Sequence, residues 1–454
     1  MLWKPTTPAA GASSLKPDQL FPAPAPARAE TDAMIALKVR IHQRLLDLLN
    51  LSVLERSTRE GLRAEIRGPI VGLLTEEKRI LTPAQTDQLI EDVLDELLGL
   101  GPLEPLLQDE TVTDILINTH SSVYVERGGK LELTETRFQD TKHLVRIINK
   151  IVSAVGRRVD ESQPMVDARL ADGSRVNAII PPLAVDGPLV SIRKFSKKPI
   201  HMNRLVELNS LTPEMAQILS AIVKARRNVL ISGGTGSGKT TLLNALSAYI
   251  DDEERIVTIE DSAELQLQQS HVGRLETRPP NIEGRGEITQ RDLVRNALRM
   301  RPDRIIVGEV RAGEAFDMLQ AMNTGHDGSM TTVHANTPRD ALSRLEQMIG
   351  MTGMDLSPRS IRQQIASAIQ VVVQTERMDD GKRRVTSISE LVGMEQDVIS
   401  MQEIYRFRRK GRSDQGAVLG DFESTGLRPK LMNVLTSRGI ELPANLFVAP
   451  PISA

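Results

Sequence analysis

From Ala33 to about Leu107 the apolar residues return at helical spacing. The clearest run is Ile90, Val93, Leu94, Leu97 and Leu98, and the Thr82-Pro-Ala-Gln85 ahead of it reads as a capping box with proline at the first helical position. The pattern then changes to alternation. Asp114-Ile-Leu-Ile-Asn118, Val123-Tyr-Val-Glu126 and Leu131-Glu-Leu-Thr134, the last two flanking a Gly128-Gly129 turn, predict short strands. A helix over roughly 140–155, a hairpin about Asp172-Gly173 and a strand Leu189-Val-Ser-Ile-Arg193 complete a smaller α+β domain. From Leu211 to about Gln374 apolar strands alternate with helical stretches, as in a largely parallel sheet covered by helices. Strands at Arg384–Ile388 and Ile404–Phe407 and a last helix after Arg428-Pro429 follow. The expected organisation is a Pro/Ala-rich disordered tail over 1–32, a helical module over 33–107, an α+β domain over 108–203, and an α/β domain with a C-terminal extension over 204–454.

Composition narrows the function classes. With 57 basic and 59 acidic residues there is no global field to attract nucleic acid or anionic lipid. Seven Phe, three Tyr and one Trp leave few platforms for stacking unpaired bases, so no direct nucleic-acid partner is expected. Cysteine is absent, which excludes disulfides and any Cys-ligated structural zinc or iron–sulfur site. No apolar run approaches the ~20 residues needed to span a bilayer, and the N-terminus lacks a signal-peptide core. A cytoplasmic protein is expected.

The densest chemistry follows the strand-like Asn228-Val-Leu-Ile-Ser232. Gly233, Gly234, Thr235, Gly236, Ser237, Gly238, Lys239 and Thr240 spell G-x-x-x-x-G-K-[ST], and Thr241 continues into a helix. Glycines let the backbone fold into a nest of inward N–H groups, and the helix adds its positive N-terminal end. Such a nest fits polyphosphate: Lys239 is expected on the β/γ-phosphates and the Thr240 hydroxyl on Mg²⁺. Hydrolysis further needs a carboxylate to order the metal and another to orient water. Arg304-Ile-Ile-Val-Gly-Glu309 is an apolar strand ending in an acid, with Gly308 where an Asp usually stands, so Glu309 is expected to act alone on the metal. Ile256-Val-Thr-Ile-Glu260 ends likewise and supplies Glu260 to polarise the water, with Glu264 as the alternative and Asp261 as a turn residue. His326 and His334 are expected at the nucleotide edge. Arg291, Arg295 and Arg299 recur every four residues, followed by Arg301, Arg304 and Arg311. A stripe of this kind is ordinarily a solvated face or a subunit contact. The sharper reading makes Arg299 or Arg311, or Arg175 and Arg193 of the preceding domain, an arginine finger.

In order, Gly-Gly-Thr-Gly-Ser-Gly-Lys-Thr (233–240), Thr-Ile-Glu-Asp (258–261), Arg-Pro-Asp-Arg-Ile-Ile-Val-Gly-Glu-Val-Arg (301–311) and Gly-His-Asp-Gly-Ser…His-Ala-Asn (325–336) resemble the Walker A, Asp box, Walker B and His box of the secretion ATPase superfamily. Gly308 is itself what that superfamily looks like. The resemblance implies a RecA-like P-loop ATPase domain behind a smaller PAS-like α+β domain, a homo-hexameric ring using ATP and Mg²⁺, catalytic Glu260 and Glu309, His326 and His334 bordering the site, and Arg175 and Arg193 touching phosphates.

The flanks narrow the likeness. Leu100-Gly-Pro-Leu-Glu-Pro-Leu-Leu, Asp167–Val176, Ser191-Ile-Arg-Lys-Phe195 and Ser424-Thr-Gly-Leu-Arg-Pro-Lys430 look like the CpaF/TadA-type ATPases of the tight-adherence (Flp) pilus. That likeness implies a motor for assembly of a type IV-like pilus through an inner-membrane platform, with retraction as a further direction of work left open. The rivals are a traffic ATPase of type IV secretion, a nucleic-acid motor of RecA or helicase type, and a non-hydrolysing nucleotide-controlled scaffold.

Overall fold

The computed structural model describes residues 26–48, 58–195, 199–281 and 284–449. Up to residue 25 the expected tail lies outside them, and the helix Pro26–Leu48 begins within the rest of that tail. The chain is a mixed α/β protein that divides into two compact units, one ending at Phe195 and the other beginning at Ser196. This is earlier than the expected boundary at 203, because Met202 and Leu205 are buried in the core of the second unit.

In the first unit the helices Pro26–Leu48, Arg59–Glu76 and Pro83–Leu98 enclose Ile41, Leu45, Leu62, Ile66, Ile90 and Leu94. The capping box at Thr82 forms in both directions: Thr82 N–H donates to Gln85 Oε1 at 2.9 Å and Gln85 N–H to Thr82 Oγ1 at 3.3 Å. A six-stranded antiparallel sheet follows, in the order β3-β2-β1-β6-β5-β4. Its strands are β1 (Val112–Thr119), β2 (Ser122–Arg127), β3 (Lys130–Leu133), β4 (Met165–Arg169), β5 (Arg175–Ile179) and β6 (Leu189–Arg193). The helix Thr141–Ala154 shares a core with one face through Leu144, Ile148 and Ile151, against Ile115, Val125 and Ile192.

A buried polar cluster joins the helices to this sheet domain. Glu96 Oε2 lies 3.0 Å from His143 Nε2, and Lys38 Nζ is 3.9 Å from the other carboxylate oxygen. Lys150 donates to the carbonyls of Glu96, Leu97 and Gly99, closing the C-terminal end of the helix Pro83–Leu98. Burial alone would raise the Glu96 pKa, but the His143 hydrogen bond and the charges of His143, Lys38 and His42 outweigh it and hold the carboxyl below its usual range.

The second unit is built on nine strands in the order β15-β14-β13-β12-β7-β11-β10-β8-β9. They are β7 (Val229–Gly233), β8 (Ile256–Glu260), β9 (Val272–Glu276), β10 (Arg304–Val310), β11 (Met330–His334), β12 (Val371–Arg377), β13 (Arg383–Glu395), β14 (Val398–Arg412) and β15 (Val418–Ser424). From β12 to β9 the strands run parallel, whereas β13, β14 and β15 extend the sheet antiparallel. Every residue of β7 and β8 is buried, as strands covered on both faces require. One face packs against Pro213–Lys224 and Lys239–Ser247, the other against Glu314–Asn323, Pro338–Gly350 and Pro358–Ala368. Parallel alignment brings the C-terminal ends of β7, β8, β10 and β11 to one edge, where open α/β sheets place their ligands.

Candidate nucleotide site

At that edge β7 runs into the glycine loop and then the helix Lys239–Ser247, so three of the expected groups are fixed by one strand–loop–helix unit. Gly236 and Gly238 adopt φ of +68° and +95°, left-handed values that a side chain would strain. Lys239 folds back over the loop and donates to the carbonyls of Gly233 and Gly234, both at 3.0 Å. Burial lowers its pKa, Glu309 pulls it back up and Arg311 pushes it down, so both of those side chains are close enough to be felt by the ammonium. Thr240 and Thr241 follow in the first turn, half-buried. Strand β12 grips the loop from the other side. Ser237 Oγ and Thr375 Oγ1 are 2.9 Å apart, and Thr375 donates to the Ser232 carbonyl at 3.1 Å.

Glu260 is the buried acid, 4% exposed at the end of β8. Its Oε2 accepts from the N–H of Glu264 at 2.7 Å and of Leu265 at 3.0 Å, while Oε1 is buried with no hydrogen-bond partner. Burial pushes the pKa up to about 7 against the pull of those two N–H groups and of Arg274. A carboxyl held at one oxygen and unsatisfied at the other is suited to accept a proton near neutral pH. Between the two acids that the sequence leaves open, the geometry favours Glu260, since Glu264 lends it a backbone N–H and is only partly buried. Gly308 has a spatial reason: a Cβ there would stand 2.9 Å from Glu260 Cγ and 3.6 Å from its Oε2. The space of an Asp side chain at 308 is filled by Glu260.

Glu309 does not stand alone. Arg311 donates to its Oε2 from Nε at 3.0 Å and Nη2 at 2.7 Å, and reaches Asp261 Oδ2 from Nη1 at 3.0 Å. Arg311 is therefore engaged within its own chain, and a finger role would require it to leave these two carboxylates. Arg291 and Arg295 both bind Asp317, and Arg299 donates to the Arg295 carbonyl, so the stripe is a paired helix face. Arg304 is 1% exposed and holds Glu254 with two bonds of 2.7 Å, a structural ion pair.

The two histidines part company. In the β11–β7 ladder Met330 pairs with Val229 and His334 with Gly233, so His334 stands beside the start of the glycine loop. His326 precedes the opposite end of β11. Its ring Nδ1 is 3.2 Å from the Ala321 carbonyl, and the neighbouring Gly328 and Ser329 N–H groups donate to Asn228 at the start of β7. A five-residue strand at about 3.3 Å per residue separates the two edges. The expectation that both face the nucleotide edge is corrected: only His334 does so in this chain. Arg175 and Arg193 lie in the first unit, opposite one another on β5 and β6, with Arg193 Nε 3.3 Å from Asp114.

Sequence reasoning missed Arg377 and Arg383, which meet the loop from β12 and β13; Arg383 Nε donates to the Gly236 carbonyl at 2.8 Å. Nothing in the spacing of Arg377-Met-Asp-Asp-Gly-Lys-Arg383 announces this, because the contact depends on β12 lying beside β7.

Residues 96–412 match the family described as type II/IV secretion system protein. The chain belongs to that family. A putative conjugal transfer protein of Mycobacterium tuberculosis is 40% identical to it over 332 residues, 72% of this chain and 93% of the relative. The type IV secretion system protein VirB11 of Bartonella henselae is 33% identical over 64% of this chain and 92% of its own length. Among solved structures, the VirB11 ATPase of Brucella suis in complex with sulphate aligns at 29% identity over 64% of this chain and 95% of its own, with a TM-score of 0.34.

Proposed function

We propose that the chain is a Mg²⁺-dependent ATPase with the triphosphate seated in Gly233–Thr240. The observation that carries this is the pairing of a left-handed glycine loop, closed over by Lys239, with a buried carboxylate oxygen of Glu260 that has no partner. Glu260 takes a proton from the water that attacks the terminal phosphorus as the bridging bond to the β-phosphate breaks and the diphosphate leaves, while one carboxylate oxygen stays fixed by the N–H groups of Glu264 and Leu265. Lys239 exchanges two loop carbonyls for phosphate oxygens, and His334 borders the same edge. Among the described residues no three His, Cys, Asp or Glu side chains converge on a metal site, so the cation would be held by Thr240 and Glu309 together with phosphate oxygens. Held there, the cation would neutralise the developing phosphate charge. Glu309 serves it only by loosening its Arg311 pair, which makes Arg311 a group that responds to occupancy.

Substituting Lys239→Ala is expected to abolish ATP turnover and leave the thermal unfolding midpoint unchanged. Phosphate release at the wild-type rate by that variant would refute the assignment.

The finer reading is a homo-hexameric motor working at the cytoplasmic side of an inner-membrane pilus platform, of the CpaF/TadA type, with Arg175 and Arg193 touching phosphates and turnover moving the α+β domain. It rests on the likeness of the flanking segments. A second reading, a traffic ATPase of type IV secretion, draws on the relatives named for conjugal transfer and type IV secretion. Deleting the coding sequence in its host separates the two: loss of surface pilin favours the first, loss of DNA or effector transfer with pilin intact favours the second.

A further inference from the structure

The hairpin between β12 and β13 carries more than a turn requires. Its last rung sets Arg377 directly opposite Arg383, and like charges facing one another across antiparallel strands cost stability on their own. Both reach the glycine loop. Arg383 Nε donates to the Gly236 carbonyl at 2.8 Å, and its Cδ lies 3.5 Å from where a Cβ on Gly238 would stand. Arg377 Nη1 lies 3.5 Å from the corresponding point on Gly236. Each left-handed glycine is thus flanked by a guanidinium stem from the adjoining hairpin.

The turn that bears this rung is anchored from outside. Met378 N–H donates to the Lys382 carbonyl at 2.7 Å, closing the turn. Asp379 accepts from Arg409 at 2.6 Å and from Arg412, both on β14. Asp380 accepts from the Val418 N–H at 2.9 Å, the first residue of β15. The long outer hairpin, otherwise remote from the chemistry, therefore fixes the position of the two arginines.

We infer that Arg383 is a positioning residue for nucleoside triphosphate. In a trans peptide the C=O and the following N–H point opposite ways. Holding the Gly236 oxygen outward aims the Ser237 N–H into the loop, where it makes only a 3.4 Å bond to the Gly234 carbonyl that a phosphate oxygen can replace. Arg377 adds positive potential beside the same loop, offsetting the anion's charge. The inference rests on the ATPase reading above.

The test uses the full-length protein, a fluorescent N-methylanthraniloyl ATP and steady-state phosphate release, with wild type and Lys239→Ala as references. Arg383→Ala is expected to raise the nucleotide Kd and the KM about three- to tenfold with kcat within about twofold, the size expected when one charged hydrogen bond to a partly exposed loop is lost. Arg383→Lys should recover part of the affinity. Asp379→Asn should shift Kd in the same direction by less, with the unfolding midpoint of all variants near wild type. If Arg383→Ala does not fold, Arg383→Met, which keeps the stem, carries the same expectation. Wild-type affinity in Arg383→Ala or Arg383→Met, or a fall in kcat with KM unchanged, overturns the inference and leaves the ATPase reading intact. Failure of the wild type itself to bind the probe overturns that reading instead.

Discussion

Gly308→Ala is the most economical probe of the catalytic geometry. The added methyl would stand 2.9 Å from Glu260 Cγ, where 3.4 Å begins ordinary contact, so the glutamate must retreat by about half an ångström. It is not free to do so, because its Oε2 is tied to two backbone N–H groups at 2.7 and 3.0 Å. The strain is about 1–3 kcal/mol, split between stretching those bonds and shifting β8 against β10. A misplacement of about 1 Å at a catalytic group costs roughly a hundredfold, so about half of that predicts a loss of turnover near tenfold. Nucleotide affinity should hold, since the loop and Lys239 are untouched. Turnover would be read by phosphate release and affinity by a fluorescent ATP analogue, with unfolding followed by calorimetry. Wild-type turnover in Gly308→Ala would show that the Glu260 position does not govern the rate. Gly308→Asp, which restores the usual acid of such strands, should be worse than alanine for the same reason.

Other expectations follow from individual contacts. With its pKa pushed up to about 7 from an ordinary 4.5, folded Glu260 keeps a proton that the unfolded chain has already released, so its contribution to stability is fully present below pH 4.5 and fades as pH rises through about 7. At about 1.4 kcal/mol per pH unit the wild type should lose about 3 kcal/mol across that window; Glu260→Gln should flatten this dependence in calorimetric scans at pH 5 and 8, and also abolish turnover. A slope unchanged by the substitution would place the titration elsewhere. Arg304→Ala removes two 2.7 Å bonds from Glu254, which keeps Arg226, and is expected to destabilise the protein by about 2–3 kcal/mol in urea titrations, whereas a loss below about 1 kcal/mol would contradict a structural role. His334→Ala should slow turnover at least tenfold and His326→Ala by less than about twofold; equal effects would contradict the placement of the two rings on opposite edges.

Much of the fold can be read without coordinates. The capping box at Thr82, the β1–β2–β3 meander and the strand Leu189–Arg193 announce themselves through local spacing, because cap chemistry and pleat period act over a few residues. The glycine loop is equally local. What escapes is set by neighbours distant in sequence. The strand β9 is only partly buried and shows no clean alternation, and the far half of β14 is so rich in arginine that its pattern reads as polar. The reason for Gly308 is visible only once β8 lies beside β10, and the place of His326 only once the loop before β11 is seen to fold back on Asn228. The acid at Glu260 is legible in type and position. Its unsatisfied oxygen and its distance from the usual carboxylate range are products of burial, which no spacing encodes.

The Glu96–His143 contact carries a mechanical corollary. Lys38, Glu96, His143 and Lys150 come from three different helices, and swinging the N-terminal bundle away from the antiparallel sheet would take His143 from the buried carboxylate and Lys150 from the helix-end carbonyls, leaving Glu96 with Lys38. Such a rupture costs several kcal/mol before any hydrophobic contact is broken. A pull applied to the bundle would therefore have to break that contact before the helices could come away from the sheet.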